Sequence, residues 1–523
     1  MYRRTFLGAA LAGLYAAHSR AWAQAGMDMH HGHGMPHGAA MGHGMAMDHG
    51  AMGQGAMDAA AQAAPRRVVP LPQGQPLREL PRLANASAEP GVFEATLTAA
   101  PAVVHYAPGL STPVLAYNGA SPGPLIEAYE GDRVAITFAN RIPGQDSTVH
   151  WHGMPVPADQ DGNPMDAVAS GADRPYRFTL PAGSAATYWY HPHPHGRTAE
   201  QVYRGLAGVF IVRSRHDPIP AEYGDTVLMF TDLRLAEDGT HAPPTEADAM
   251  NGRIGDHVLV NGQKQPVMDA VAGARRRLRL INATNARYLR LAFEGATMTL
   301  VGSDGGLLEK PVDAAELLLA PAERAEVVVT FPVAGPAALR TLDYDSGWMG
   351  PGRPRSAGLT LLDVQVAAAF VAPKMSPVPA TLRAIAPLSK PVRQRRFVFT
   401  ETMSHGPHGM AMQFLINGAA FDMKRIDVTM QAGQVEQWEI ENQADMDHPF
   451  HVHGVQFQVT ARRRGGGAFQ PEPWRTWKDT VNVPHGEAVR ISLRQDTPGL
   501  RMYHCHILEH EDQGMMGMVK VEG

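Results

Sequence analysis

The feature that most constrains the fold of this chain is a β unit that occurs three times along it. Each copy begins with an Asn-Gly turn and continues through a second glycine into a strand of alternating apolar residues. The interval from that glycine to the asparagine that ends the strand is the same in all three copies, which indicates related structural units. The copies run from Asn118 to Asn140, from Asn261 to Asn282 and from Asn417 to Asn442.

The repeat predicts an all-β chain of three antiparallel β-sandwich domains. The chain has 523 residues, which is enough for three domains of ordinary size, and its 53 glycines and 42 prolines suit short strands joined by turns. We expect the domains at 86–215, 216–370 and 390–523, with a linker at 371–389, because proline-rich stretches fall near both boundaries.

Composition narrows the function before any motif is considered. The formal net charge of -5 supplies no broad attraction for nucleic acid or for an anionic membrane surface. The single cysteine, Cys505, excludes an intramolecular disulfide and needs another explanation. The 25 histidines supply imidazoles, which bind transition metals in general, and the 27 methionines supply soft thioethers that suit Cu(I), so the composition indicates a metal-binding protein.

The N-terminus is predicted to be a twin-arginine export signal over residues 1–23. Arg3 and Arg4 precede a short apolar stretch, and Ala21-Trp22-Ala23 offers a cleavage site. The stretch is too short to span a bilayer, and no later segment approaches the necessary length of about 20 apolar residues. We therefore expect an exported protein with no membrane anchor in its mature form, which would be periplasmic in a two-membrane cell and at the cell surface or in the medium otherwise.

Residues 24–85 are predicted to be a disordered tail. Between Met27 and Met57, methionine and histidine alternate with glycine and alanine, and a proline-rich connector follows. Such a composition cannot bury a core. Two roles stay open for the tail, since its thioethers and imidazoles could collect copper ions or it could be an inert linker.

Four His-x-His pairs carry the chemistry, two in the first predicted domain and two in the third. On a strand, residues i and i+2 point to the same face, so each pair can present two imidazoles to one place. If the first and third domains pack together, eight imidazoles converge. The pairs are His150 and His152, His191 and His193, His451 and His453, and His504 and His506.

Cys505 lies between the two histidines of the last pair, so its side chain points to the opposite face of that strand and serves a different site. His448 precedes the third pair, and His510 and Met515 follow the fourth. Two histidines and one cysteine with an axial methionine form the ligand set of a blue-copper site, which transfers single electrons. The short covalent path from Cys505 to its two neighbours would carry each electron to the histidine cluster.

These segments resemble the four signature segments of the multicopper oxidases. The resemblance covers the chain from about residue 86 and is closest to the bacterial copper-efflux cuprous oxidases, which are laccase-like. It implies three cupredoxin-like Greek-key domains, four copper ions and the four-electron reduction of O2 to water. The segments are His150-Trp151-His152-Gly153, Tyr190-His191-Pro192-His193, His448-Pro449-Phe450-His451-Val452-His453-Gly454 and His504-Cys505-His506.

The resemblance also implies which residue holds which metal ion. A type 1 copper would take the blue-copper set, and a type 2 copper would take His150 and His451. Asp161 and Glu511 match the family's acidic residues near the cluster and would relay protons. The type 3 copper pair would take the other six histidines of the pairs: His152, His191, His193, His453, His504 and His506.

The electron donor is not fixed by these ligands. Asp445 and Met446 lie just before His448, and a thioether and carboxylate pocket would bind Cu(I) as a substrate. Methionine is also a common filler of gaps in a core. The close relatives carry a Met-rich insertion before the third domain, whereas residues 345–395 contain only Met349 and Met375. This departure weakens the case for Cu(I), although the Met/His tail could replace the insertion.

Three functions stay open. The first is a cuprous oxidase for copper tolerance, which is exported by the twin-arginine translocase and acts as a monomer on Cu(I) and O2. The second is a laccase-like oxidase of phenols or related aromatic donors. The third is a copper-binding or division-associated scaffold without catalysis, which predicts missing ligands, and none is missing. A nitrite reductase would need only the blue site and one further copper, so it does not explain eight clustered imidazoles.

Overall fold

The computed structural model describes residues 67–350, 352–354, 358–371, 373–406 and 409–523. The predicted export signal and the Met/His-rich part of the tail lie outside these residues. Strands in the described part of the chain pair into six sheets, two in each successive third, which confirms the all-β fold class. Helices are few and short there, and none of them is long and apolar enough to cross a membrane.

The first sandwich spans residues 92–213. Its strands and helix are β1 (Val92–Ala107), β2 (Leu110–Tyr117), β3 (Ile126–Tyr129), β4 (Arg133–Asn140), β5 (His150–His152), β6 (Asp173–Thr179), β7 (Ala186–His191), α1 (Thr198–Tyr203) and β8 (Gly208–Arg213). The two sheets have the orders β2-β1-β4-β6 and β3-β8-β7-β5. They enclose an apolar core in which Trp151 and Tyr176 are fully buried.

The second sandwich spans residues 226–367. Its elements are β9 (Thr226–Leu233), α2 (Glu246–Asn251), β10 (His257–Val260), β11 (Val267–Val271), β12 (Arg275–Asn282), β13 (Leu289–Glu294), β14 (Thr297–Ser303), β15 (Gly306–Ala314), β16 (Leu317–Leu319), β17 (Arg324–Thr330), β18 (Gly335–Leu342) and β19 (Leu359–Ala367). The sheet orders are β10-β9-β12-β17-β14-β15 and β11-β19-β18-β13-β16.

The third sandwich spans residues 393–522. Its elements are β20 (Arg393–Gly406), β21 (Gly409–Ile416), β22 (Val428–Gln431), β23 (Val435–Asn442), β24 (His448–Val452), β25 (Gln458–Arg463), β26 (Gln470–Pro471), β27 (Thr480–Val483), β28 (Ala488–Arg494), β29 (Gly499–Cys505), α3 (Leu508–Asp512) and β30 (Met516–Glu522). The sheet orders are β21-β20-β23-β28-β25-β26 and β22-β30-β29-β24-β27.

The repeated asparagines occupy equivalent places in the three sandwiches. Those of the Asn-Gly turns all adopt a positive φ of 50–54°, a conformation that asparagine tolerates better than most residues. The asparagines that end β4, β12 and β23 are buried, and each side-chain amide donates to two backbone carbonyls at 2.8–2.9 Å. In each copy of the repeat, the first asparagine therefore forms a turn and the second fixes the end of a strand.

The prediction of disorder is wrong for residues 67–85. Leu71 and Leu80 are buried in apolar clusters with strands of the sandwiches. Gln263 fixes the segment further, because its side chain accepts a hydrogen bond from the Arg78 amide at 2.7 Å and donates to the Pro76 carbonyl at 3.0 Å. The apolar residues of this connector are spaced too irregularly to predict a strand, but they are sufficient to dock an extended segment.

Candidate metal centre

The eight paired histidines converge at one buried place. They lie on, or directly after, strands β5, β7, β24 and β29, and antiparallel pairing sets His150 opposite His191 and His451 opposite His504. All eight side chains have no solvent exposure. The first and third sandwiches therefore face each other across this cluster, which is the condition that the four pairs required.

Three short contacts join imidazole nitrogens across the cluster. Nε2 of His150 lies 3.4 Å from Nε2 of His451. Nε2 of His504 lies 3.2 Å from Nε2 of His193 and 3.1 Å from Nε2 of His453. The histidines of the first and third domains thus contact one another directly, at distances that a shared metal ion could span.

The contacts of His504 with His193 and His453 define one group of three histidines. Another group is formed by His152, His191 and His506, whose ring centroids lie 4.8–5.7 Å apart. The six histidines expected to hold a type 3 pair thus divide into two groups of three, and each group contains residues from both outer domains. Such a division suits two metal ions that are held side by side.

Asp161 holds the outer nitrogens of two imidazoles. Its carboxylate oxygens lie 3.3 Å from Nδ1 of His150 and 3.3 Å from Nδ1 of His453, and its own carbonyl accepts a hydrogen bond from His150 at 2.9 Å. Arg501 lies 3.5 Å from the same carboxylate. The acid follows a short 3-10 turn over Ala158–Gln160 and is fully buried, so it is not the solvated charge that a loop position would suggest.

Glu511 has the same relation to two further imidazoles. Its oxygens lie 3.4 Å from Nδ1 of His193 and 3.3 Å from Nδ1 of His504. Burial, together with the nearby charge of Asp512, raises the pKa of Glu511 well above its ordinary value. The two acids singled out in the sequence therefore touch four of the eight imidazoles between them.

A third buried acid, Asp479, was not found from the sequence. Its backbone carbonyl accepts a hydrogen bond from Nδ1 of His451 at 2.8 Å, and its carboxylate and the Thr480 hydroxyl each lie 3.0 Å from Nε2 of His152. Nδ1 of His191 donates to a backbone carbonyl at 2.9 Å. A lone acid that precedes a strand gives no local signal of this role, because its partner His152 is more than 300 residues away in the first domain.

The donor atoms fit transition-metal ions. Burial lowers the pKa of most of these imidazoles well below the ordinary value, so they are neutral and keep a free lone pair. Nδ1 of His152, Nε2 of His191 and both nitrogens of His506 have no hydrogen-bond partner among the described residues. An unpaired buried nitrogen is costly, and a metal ion bound there would satisfy it.

The expected blue-copper residues form a second cluster beside the first. Nδ1 of His448 lies 3.3 Å from Sγ of Cys505 and 3.4 Å from Nδ1 of His510. The amide of Ile507 donates to the same sulfur at 3.3 Å, and Met515 is buried in the surrounding apolar core. Burial raises the pKa of the Cys505 thiol, so the thiolate needs a bound cation to form readily.

The blue-copper cluster is closed to solvent. The side chains of His448, Cys505, His510 and Met515 all have zero exposure. Phe414 of β21 stacks on His510 with ring centroids 3.7 Å apart, and Nε2 of His510 donates to the Met250 carbonyl of α2 at 3.1 Å. The second domain therefore covers the imidazole edge that would otherwise face a donor.

The two residues expected to bind a substrate copper have different surroundings. Met446 is 1% exposed and packs in the core of the third domain, whereas the neighbouring Asp445 is exposed. The Asp445 amide donates to Oε1 of Glu401 at 3.0 Å, and the buried Oε2 of Glu401 has no partner among the described residues. Glu401 was not found from the sequence, since nothing in its neighbourhood marks it as a ligand.

Fold and sites together define a protein of three β-sandwiches with a histidine cluster between the outer two and a cysteine-containing metal site beside it. Family models described as Multicopper oxidase match residues 99–217, 225–337 and 390–523. The chain belongs to the multicopper oxidase family, whose members are copper-containing oxidoreductases with cupredoxin-like domains that use O2 and a reducing substrate.

Individual relatives agree with this family and differ in their names. "Multicopper oxidase mco" of Staphylococcus aureus is 32% identical over 435 residues, which are 82% of this chain and 88% of that protein. A solved structure, "Multicopper oxidase from Campylobacter jejuni: a metallo-oxidase", is similar with a TM-score of 0.82 and 39% identity, over 88% of this chain and 98% of that one. "Cell division protein FtsP" of Escherichia coli is 32% identical over 484 residues, 88% of this chain and 96% of that protein.

Proposed function

We propose that the protein is a cuprous oxidase that serves copper tolerance. It takes single electrons from Cu(I) at the type 1 site of His448, Cys505, His510 and Met515. The electrons reduce O2 to water at the cluster of eight histidines. Cys505 joins the two sites by the shortest covalent path, because its backbone neighbours are both cluster histidines.

The residues fit four copper ions, one at the cysteine site and three among the eight imidazoles. His150 and His451 would hold the type 2 ion, and the two groups of three histidines would hold the type 3 pair. Copper at the first site would supply one-electron transfer, and the four ions together would store the four electrons that O2 needs to become water. The neutral imidazoles and the buried thiol support this assignment.

Asp161 and Glu511 would supply the protons that the reduction of O2 consumes. Each carboxylate touches two imidazoles of the cluster and is itself excluded from solvent. Burial raises the pKa of Glu511 well above its ordinary value, a direction that favours the protonated carboxyl that a general acid needs.

The proposal that Cu(I) is the electron donor rests on the way the second domain covers His510. A planar phenol transfers electrons best in contact with an imidazole edge, and here that edge is bonded to the Met250 carbonyl. A single metal ion needs no such flat surface, because it can bind soft side chains at the rim. The geometry therefore favours Cu(I) over an aromatic donor.

The hairpin of β20 and β21 offers such side chains. Met403 pairs directly with Met412, and Glu401 pairs with Phe414, so all four share one face. Met403 is 60% exposed, while Phe414 stacks on His510. Two thioethers and a carboxylate thus lie between solvent and the type 1 site. Asp445, whose amide is bonded to Glu401, and the adjacent Met446 would complete the proposed Cu(I) pocket.

We also propose a cellular location, an oligomeric state and a role for the Met/His tail. We place the mature protein in the periplasm, as a monomer, after passage through the twin-arginine translocase. The Met/His tail would collect copper ions.

Similarity to a cell division protein raises the alternative of a scaffold without catalysis. Such a scaffold has no use for eight buried imidazoles, five of which face one another through Nε2, or for the oxygen atoms that lie against the outer nitrogens of seven of them. Because these contacts orient lone pairs toward a shared point, the site favours an oxidase.

Oxygen uptake by the copper-loaded mature protein tests the proposal. The donors are chelated Cu(I) and dimethoxyphenol, each with and without added Cu(II). We expect fast uptake with Cu(I), and phenol turnover only when Cu(II) is added. Met403→Leu and Met412→Leu should raise the KM for Cu(I), whereas Met430→Leu, a buried methionine of the same domain, should not. Fast phenol turnover without added copper would instead establish a laccase, and no uptake with either donor would favour the scaffold.

A further inference from the structure

A buried ion pair joins the second and third domains directly behind the histidine cluster. Arg324, the first residue of β17, forms a two-pronged contact with the carboxylate of Asp479, and both nitrogen-oxygen distances are 2.6 Å. Both side chains have zero exposure. The second domain contributes no His-x-His pair, but through Arg324 it places a charged group against a carboxylate that contacts the cluster.

Asp479 is in turn bonded to two cluster histidines from different domains. Its Oδ1 lies 3.0 Å from Nε2 of His152, and its carbonyl accepts from Nδ1 of His451. His152 is oriented differently from its neighbours, because its outer nitrogen is Nε2 and its inner, unpartnered nitrogen is Nδ1. Contact with a carboxylate keeps the proton on Nε2 and leaves the lone pair of Nδ1 for a metal ion.

Arg324 has no freedom to move away from Asp479. Its Nε donates to the Thr187 carbonyl at 2.9 Å, and its backbone amide donates to Asp304 at 2.7 Å. Gln456 donates to the other carboxylate oxygen of Asp479 at 2.7 Å. The carboxylate is therefore fixed by partners from more than one domain and cannot rotate without breaking charged hydrogen bonds.

Stability alone does not explain such a pair. Removing two charges from water costs several kcal/mol per ion, and an apolar replacement of similar volume is often at least as stable. A planar guanidinium holds both oxygens of a carboxylate in one plane, which an ammonium cannot do. The feature that distinguishes this pair from an ordinary buried ion pair is its contact with His152.

We propose that Arg324 is a positioning residue that the second domain supplies to the histidine cluster. It fixes the Asp479 carboxylate, and the carboxylate fixes the ring of His152 and the nitrogen that this ring presents to copper. The proposal rests on the proposed copper sites, but it concerns metal binding and ring orientation, not the identity of the electron donor.

Three variants test it. Arg324→Lys keeps the charge and loses the fork, and Asp479→Asn keeps the shape and loses the charge. Arg277→Lys is the matched control, because Arg277 is a buried arginine of the same domain, 6% exposed, that is paired with Glu326. Copper is removed from the cluster with graded chelator, while the type 1 absorption of the same sample reports the blue site.

Arg324→Lys and Asp479→Asn should bind cluster copper about 10–100-fold more weakly than the wild type, the loss typical for partners of metal-bound histidines. Type 1 absorption per chain should not change, and Arg277→Lys should match the wild type in both readouts. In the copper-free protein, nitrogen NMR of the histidine rings should find the His152 proton on Nε2 in the wild type and divided between both nitrogens in Asp479→Asn.

Equal copper affinity in Arg324→Lys and the wild type would overturn the proposal, as would an equal loss in Arg277→Lys or an unchanged tautomer in Asp479→Asn. Failure of the proposed function has a different signature. In that case the wild type binds copper but consumes no O2 with either donor, while the chelator series still separates Arg324→Lys from the control. A wild-type chain that binds no copper would overturn both.

Discussion

Replacement of Gly454 by alanine should destabilise the third domain far more than replacement of another glycine with the same backbone conformation. Gly454 ends the His-Val-His-Gly segment at a φ of +65°, and a Cβ there would lie 1.7 Å from Nη1 of Arg501. Ordinary contacts lie at 3.4–4 Å, so the guanidinium has to move. It has little room, because Arg501 is only 1% exposed and donates to the Val156 carbonyl at 2.9 Å.

The magnitude follows from two separate costs. A left-handed conformation costs a residue with a Cβ about 1–2 kcal/mol. Displacement of Arg501 breaks its hydrogen bond to Val156 and its contact with Asp161, and disruption of a buried charged pair costs about 3–5 kcal/mol. Gly433 has a φ of +76° and no atom within 4 Å of the place where a Cβ would lie, so Gly433→Ala carries the first cost alone.

Urea unfolding of the copper-free protein measures the difference. With a slope of about 1–3 kcal/mol per molar urea, an extra 3 kcal/mol lowers the midpoint of Gly454→Ala by about 1–3 M relative to Gly433→Ala. Copper content is the second readout, since Asp161 also holds two cluster imidazoles. If the two variants unfold at the same midpoint and bind equal copper, the argument from close approach is wrong.

Three further outcomes are expected. Burial lowers the pKa of His241 to about 4, so the folded state does not take up the proton that the unfolded chain binds below about pH 6.5, and the free energy of unfolding decreases as the pH is lowered. Between pH 7 and pH 5, His241→Phe should lose about 2 kcal/mol less of this free energy than the wild type, as measured by urea unfolding. Glu511→Gln should slow reoxidation of the reduced enzyme by O2 about 10²–10⁴-fold and leave reduction of the type 1 site unchanged in stopped-flow traces, whereas equal slowing of both steps would argue against a proton role. Asn442→Ala should lower the free energy of unfolding by about 2–4 kcal/mol, because two backbone carbonyls lose their amide donor, and it should alter the type 1 absorption. Asn282→Ala should lower the free energy of unfolding as much without that spectral change.

The fold was predictable because its determinants are local. An asparagine that adopts a positive φ, a glycine, and an asparagine that closes a strand each act within a few residues of themselves, so their spacing survives in the sequence. The connector at 67–85 was not predictable on the same basis. Its leucines pack against residues that are distant in the chain, Leu71 in a cluster with Leu233 and Leu80 in a cluster with Trp189, and an extended segment has no period that reveals them.

The site residues likewise divide into those that a local sequence pattern predicts and those that act on distant partners. Alternation along a strand placed each histidine pair on one face and Cys505 on the other, which needs only strand geometry. Asp479, Arg324 and Glu401 act on partners far away in the chain, and each reads as an ordinary charge in its own neighbourhood. Asp161 and Glu511 were found only because they resemble the acids of a known family.

The second domain contacts both sites in ways that its sequence does not predict. It holds no histidine pair, yet α2 caps His510 through a backbone carbonyl and Arg324 fixes the carboxylate behind His152. In the proposed function, the first contact covers the ring through which electrons would enter, and the second would orient a ring where O2 would be reduced. A two-domain arrangement of the outer sandwiches could gather the same eight imidazoles, but it would leave the His510 edge open and Asp479 without its cation. In the proposed function, the preference for a small donor and the order of the cluster therefore both depend on a domain that contributes no proposed copper ligand.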